Sequence, residues 1–452
     1  MISQLDLIVR GGNVVTPEAM VRADVGILEG RIVRMAPEIT EAAAATVDAT
    51  GKYVFPGIID AHVHFNEPGR AEWEGIATGS AALAAGGGTA FFDMPLNSEP
   101  PVLDAARLRE KRALAEEKSC VDFALWGGLT PSNLDRLAAL RDAGAIGLKA
   151  FMSNSGIESF PHVTAPVLRE GMKRAAKLGL IVAVHAEDDA LATTFTAEQK
   201  RLGNTDARAW LRSRPLEVEL EAIRVALELA GETGCALHVV HVSSPEGVAL
   251  IDEARAQRVD VTAETCPHYL LFSEKDVDRI GAPAKCAPPI RDEKRRKALW
   301  DDLRSGRMHT VGSDHSPAPR DMKSALNFFE IWGGIAGVQH GFQLLLSECA
   351  NTATQDLPRL AALFARNVAR RFRLAHKGMI AEGFDADLCL VSFGAGRTIE
   401  AEELWTRHRI SPYVGRKNRT VISDTYVRGN AVYANGRLVN LPQPGRFLRP
   451  EK

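Results

Sequence analysis

His62 and His64 stand two apart at the end of the apolar run IIDAHVHF (58–65). In a strand, positions i and i+2 share a face, so both imidazoles are expected on one side, where they could serve a divalent cation. A single histidine at a strand end is more often structural, and two nitrogens do not complete a metal site. Further donors lie within or end similar runs: Lys149 within AIGLKAF (145–151), and His185 in LIVAVHAE (180–187), His241 in ALHVVHV (236–242) and Asp314 in MHTVGSDH (308–315). Four histidines and one carboxylate can hold two divalent ions but leave nothing to bridge them. An ammonium has no acceptor. A lysine that has reacted with CO2 carries two anionic oxygens and can bridge, a modification invisible in a sequence. Two ions ~3.5–4 Å apart would share a hydroxide of lowered pKa and polarise a substrate carbonyl. The expected chemistry is metal-assisted hydrolysis.

For these side chains to converge, their strands must lie side by side and run the same way. The five runs that carry them belong to a set of eight, completed by GTAFFDM (88–94), VDFALWGG (121–128) and VDVTAETC (259–266). Helical periodicity fills the intervals, as in PVLREGMKRAAKLG (166–179) and PLEVELEAIRVALELAGETG (215–234). Eight strand–helix units predict an α/β fold, a (β/α)8 barrel, with its active site at the C-terminal ends of the strands. The flanks read differently. Residues 5–54 alternate apolar and polar positions around glycine turns, and the last seventy residues return to that texture. Even the turns ILEGRIV and YANGRLV look alike. The expected organisation is a barrel over 55–380 and one small β-sandwich built from 1–54 and 381–452.

The other histidines follow a different logic. His238 lies three residues before His241 and is expected on the opposite face. His162, His309, His340, His376 and His408 lie off the strand ends and read as structural. His268 and His315 adjoin the site as supporting residues.

Composition narrows the partners. At 452 residues and 45% hydrophobic content, the chain can bury a large core without disulfides. A net charge of −2 leaves no electrostatic footprint for nucleic acid or an anionic membrane. No run approaches the ~18 apolar residues of a membrane helix, and MISQLDLIVRGG lacks the pattern of a secretory leader. Six scattered cysteines without a CxxC pair point to reduced thiols and a cytoplasmic setting. The partner is expected to be a small molecule.

At this point the residues match a known pattern. The HxH pair, the lone barrel lysine, two later histidines and a final Asp resemble the amidohydrolase superfamily. The resemblance is closest to its cyclic-amidohydrolase branch of dihydroorotases, hydantoinases with dihydropyrimidinases, and allantoinases. It extends over essentially the whole chain, including GMIAEGFDADLCLV. It implies that His62, His64, N6-carboxylated Lys149 and Asp314 serve one ion, while Lys149, His185 and His241 serve the other. Zinc is the first expectation, and cobalt, manganese or nickel suit the same donors. Asp314 would be the general base that later delivers its proton to the leaving nitrogen.

Within that branch, Asn66 stands where dihydroorotases carry a carboxylate-gripping arginine, and Asn154 where hydantoinases typically carry a tyrosine. DAHVHFNEPGRAEWEG, FFDMPLNSEPP, ETCPHYL, KCAPPIR and VGSDHSPAP look like their allantoinase counterparts. The resemblance implies hydrolysis of allantoin, a neutral cyclic ureide, to allantoate. The alternative enzyme is a hydantoinase or dihydropyrimidinase. A non-catalytic oligomeric scaffold is disfavoured, because all six ligand positions are intact. The candidate substrate contacts are Asn66, Asn97, Ser153, Asn154, Cys286, Ala287, Pro288, Gly333 and Ser316. For Asn97, stabilising its own turn is an equal alternative; Gly333 could equally be a turn residue. The branch commonly forms dimers or tetramers, so a homodimer or homotetramer is expected.

Overall fold

Three two-residue turns punctuate the β-rich flanks: Glu29–Gly30, Arg428–Gly429 and Asn435–Gly436. Both residues of each take positive φ, the geometry whose twist suits a tight hairpin. The likeness of ILEGRIV and YANGRLV is therefore a likeness of turn type. In the computed structural model, which describes residues 4–352, 354–439 and 445–451, the first turn joins β2 (Met20–Leu28) to β3 (Arg31–Ala36). β1 (Leu5–Val15) pairs antiparallel with β2 and parallel with β4 (Ala43–Asp48) and β5 (Tyr53–Pro56). The outer limits of the expected sandwich, residues 1 and 452, lie outside the described residues.

The chain then enters the barrel. Its parallel strands are β6 (Ile58–Val63), β7 (Gly88–Asp93), β8 (Asp122–Leu125) continued by β9 (Gly127–Gly128), β10 (Leu148–Phe151), β11 (Val182–His185), β12 (Leu237–Val239), β13 (Val261–Thr265) and β14 (Thr310–Val311). All eight expected strands are present. The ring closes where the His64 amide donates to the His315 carbonyl at 2.7 Å. Helices such as Ala165–Leu178 and Leu216–Thr233 cover the outside, each ended by a glycine with φ near +65°. In the second, Val218, Ala222, Ile223, Ala226 and Leu229 form the buried stripe.

After the barrel the chain returns to the first sheet. β15 (Leu388–Thr398) pairs antiparallel with β5, and β16 (Lys417–Val427), β17 (Asn430–Ala434) and β18 (Arg437–Leu438) extend it. Segments from both flanks thus share nine strands, and Leu7, Val9, Val25, Ile27, Val54, Leu388 and Leu390 form the sandwich core. Arg446 to Leu448 then run back along β8, where Phe447 pairs with Phe123.

The lower half of the barrel is filled with hydrocarbon. Ile59, Ala61, Ala90, Phe92, Trp126 and Ala183 point inward. Val368, Ala369, Phe372 and Leu374 plug the ring from below, with the Phe372 ring edge-on to Phe92 and Trp126. Polar chemistry is thereby confined to the upper half.

Candidate active site

Directly above the apolar floor lies a layer of buried carboxylate and imidazole. Glu264 points inward from β13, and its Oε1 sits 2.8 Å from His62 Nδ1. His238 also points inward, with Nδ1 at 2.8 Å from Thr262 Oγ1 and Nε2 at 3.4 Å from Glu264 Oε2. This corrects the expected orientation. Alternation along β12 turns His238 into the barrel, and His241 reaches the site because the chain has left the strand and takes φ 43° there.

A comparable departure serves the first pair. Ile59 and Ala61 both face the floor, so strict alternation would turn His62 outward. An irregularity places one more residue between Asp60 and Val63 than between their partners Phe91 and Asp93. That bulge lets His62 and His64 both face the site.

The six expected ligands meet above this layer. His62 Nε2 and His64 Nε2 lie 3.1 Å and 3.5 Å from Asp314 Oδ1. His185 Nδ1 lies 3.0 Å from His241 Nε2. The Lys149 ammonium position is fully buried between these sets, and neither Nζ nor the Nδ1 atoms of His64 and His241 has a hydrogen-bond partner. Buried polar atoms without partners are costly, and here they surround nitrogen and oxygen lone pairs that converge. The donor set fits divalent cations.

Electrostatics agree. Burial pushes the His62 and His241 imidazoles well below their usual range, with His185 beside His241 and Lys149 beside both adding to it. Neutral imidazole is the form that ligates. Burial also pulls the Lys149 amine down to about 8, against the attraction of Asp314 and Glu264. The shift favours the free amine, the nucleophile needed for addition to CO2. Burial raises Glu264 to about 8, opposed by the Lys149 ammonium.

The outer nitrogens are held by residues the sequence reading passed over. His185 Nε2 lies 2.9 Å from Glu187 Oε2, and the same oxygen accepts from Arg214 Nη1 at 2.7 Å. Burial works against the Glu187 charge, but Arg214 and His185 hold its carboxyl below the usual range. The signal was available: Glu264 has inward parity on β13, and Glu187 sits two beyond His185.

His62, His64, His185, His241 and Asp314 open into a cavity of about 370 Å³. Of the expected contacts, Asn97, Asn154, Cys286, Ala287, Ser316 and Gly333 line it. Asn97 Nδ2 lies 3.3 Å from Ser316 Oγ, and Asn154 Oδ1 accepts from the Gly156 amide at 2.9 Å. Asn66, Ser153 and Pro288 lie behind the wall. Asn66 is buried, its Nδ2 3.4 Å from the Pro317 carbonyl; Ser153 is buried too; the Pro288 carbonyl accepts from the Tyr269 hydroxyl at 2.7 Å. Two cationic side chains also belong to the wall. Arg214 and Lys285 line it, one paired with Glu187 and the other donating to the Phe328 and Ile331 carbonyls. Asn66, Asn97, His241 and Asp314 all have φ between 43° and 68°, a region L-residues rarely occupy outside constrained sites.

Residues 53–432 match the Amidohydrolase family. The chain is 50% identical to an allantoinase of Deinococcus radiodurans over 446 residues, spanning 99% of both chains. It is 43% identical to an allantoinase of Desulfitobacterium hafniense over the full length of both. Among solved structures, the L-hydantoinase (dihydropyrimidinase) of Arthrobacter aurescens superposes with a TM-score of 0.95 at 32% identity, covering 98% of this chain and 99% of that one. These similarities extend over nearly the whole chain, and the chain belongs to the amidohydrolase family.

Proposed function

We propose that the protein hydrolyses the ring amide of allantoin to give allantoate. The observation that carries this is full-length identity of up to 50% to proteins named allantoinase, against 32% to the L-hydantoinase of similar structure. The open set of buried donors at the barrel mouth supports hydrolysis, and the neutral asparagines Asn97 and Asn154 in the cavity suit a ureide.

His62, His64, Lys149 and Asp314 would hold one divalent ion and Lys149, His185 and His241 the other, with Lys149 carboxylated on Nζ. Zinc is our first choice of metal. When bound, the ions polarise the scissile carbonyl and acidify the attacking water. Glu264 and Glu187 fix the His62 and His185 rings. Asp314 takes the proton lost as water adds to the carbonyl carbon. It then returns the proton to the ring nitrogen as the C–N bond breaks, because an unprotonated amide nitrogen leaves poorly. Asn97, Asn154 and Ser316, with peptide groups around Cys286, Ala287 and Gly333, would orient the ring. In our reading 55–380 is the catalytic unit and 1–54 with 381–452 the sandwich. A homodimer or homotetramer in the cytoplasm completes it; among the described residues no helix is long and apolar enough to cross a membrane.

The test is turnover of allantoin, hydantoin, dihydrouracil and dihydroorotate by metal-loaded protein, with metal content measured alongside. Allantoin is expected to be the preferred substrate, with two ions per chain. Turnover of hydantoin or dihydrouracil without allantoin would reject the reading.

A further inference from the structure

The segment HFNEPGRAEW (64–73) ends near an arginine that no step above uses. Arg70 stands behind the cavity wall with 23% of its side chain exposed. Its contacts touch two loops of the rim directly and reach two more through Glu99 and Trp73. Nη1 lies 3.5 Å from the carbonyl of Asn97, a cavity residue whose backbone is held at φ 68°. Nη2 lies 3.4 Å from Glu99 Oε2, which also accepts from Ser159 Oγ at 3.0 Å. The guanidinium lies over the Trp73 ring at 5.0 Å, and Trp73 meets Trp332 edge-on at 5.0 Å. Trp332 lines the cavity.

Backbone packing makes the same connection independently. The Glu99 amide donates to the Pro68 carbonyl at 2.8 Å. Gly69 has φ 84°, and a Cβ there would lie 2.0 Å from the Glu99 carbonyl oxygen. The loops after β6 and β7 are therefore pressed together where Arg70 joins them.

We infer that Arg70 is a positioning residue for the substrate cavity: it ties the loops carrying Trp73, Asn97, Ser159 and Trp332 into one rim, and so fixes Asn97 and Trp332 against the bound ring. A flat cation suits this position. It pairs with a carboxylate at its edge and stacks on an indole through its face. The role in turnover rests on the allantoin reading; the tie between the loops does not.

Two measurements separate these. Hydrogen exchange by mass spectrometry on metal-loaded protein without substrate reads the tie. Arg70→Ala is expected to accelerate exchange in 96–100, 153–160 and 322–334 as well as 66–75, and Arg70→Lys to do so less. Acceleration confined to 66–75 overturns the inference whatever the substrate is. Kinetics read the consequence. In Arg70→Ala, KM for allantoin is expected to rise about tenfold, since small displacements of positioning groups are costly. Metal content should stay at the wild-type level and kcat within about twofold, because no metal ligand is touched. Combining Arg70→Ala with Trp332→Leu should raise KM no further than the worse single variant, as residues in one network are not additive. Additive effects, or loss of metal from Arg70→Ala, overturn it. If wild type turns over no cyclic ureide, the proposed function fails and the exchange result still decides the tie.

Discussion

A histidine that binds a metal through one nitrogen is steered by what its other nitrogen touches. His62 has Glu264 and His185 has Glu187, both fully buried. Glu264→Gln keeps the shape but replaces a titratable carboxyl with an amide. Metal affinity is expected to fall by about ten- to a hundredfold, measured by competition with a chromogenic chelator. Unchanged affinity would show that Glu264 fills space only. That the candidate ligands would lie near one another was legible in the sequence, because each lies within or ends an apolar run and strand ends of one barrel face a common point. Their partners were less so. Glu264 sits inside TAETC, and a glutamate in a strand ordinarily reads as solvent-facing. The orientation of His238 was not legible, since alternation says nothing about where a strand stops.

At the scale of elements, the strands were readable and most of the 322–334 loop over the cavity was not. Eight apolar runs became eight strands in the expected places. The segment 322–334 has no such rhythm, yet it supplies Met322, Phe329, Ile331, Trp332 and Gly333 to the cavity. It is held from beneath by two lysines: Lys285 donates to the Phe328 and Ile331 carbonyls, and Lys323 to those of Trp332 and Gly334 at 2.8 Å each. Burial pulls both amines down to about 7. In KCAPPIR a lysine looks like a surface residue, because the carbonyls it serves lie over forty positions away. Lys285→Met preserves the bulk and strands two acceptors, each a loss of about 1–3 kcal/mol where no water replaces the donor. Proteolytic nicking within 322–334 is expected to quicken about tenfold or more, read by mass spectrometry of the fragments. A cleavage rate equal to wild type would mean the loop is held by its apolar residues alone.

In the whole molecule, barrel and sandwich are joined by buried charge. Lys377 reaches Asp122 at the start of β8 at 2.6 Å, Asp387 before β15 at 2.7 Å and Asp385 at 3.0 Å. Arg428, from the turn after β16, also reaches Asp122. The three carboxylates lie close enough to suggest a cation site, but the Lys377 ammonium already stands among them. These carboxylates hold the Lys377 pKa above its ordinary value despite burial. Lys377→Met would leave buried carboxylates uncompensated, a loss of about 3–5 kcal/mol, seen as a lower urea midpoint. A midpoint within error of wild type would show that Arg428 suffices. None of this was readable beforehand: the similar texture of the two flanks suggested that they share a sheet, but not what bonds that sheet to the barrel.

The join between β5 and β15 has a further meaning while the chain is being made. β5 ends at Pro56 and its neighbour begins at Leu388. At about 5–20 residues per second, synthesis of the intervening ~330 residues takes on the order of tens of seconds. Throughout that time Tyr53, Val54 and Phe55 present an unpaired, largely apolar edge, the kind that recruits strands from other molecules. On the opposite side of the sheet β3 carries Arg31 and Arg34, and its edge is covered by the backbone of residues 383–385. The β5 side depends on the ribosome finishing.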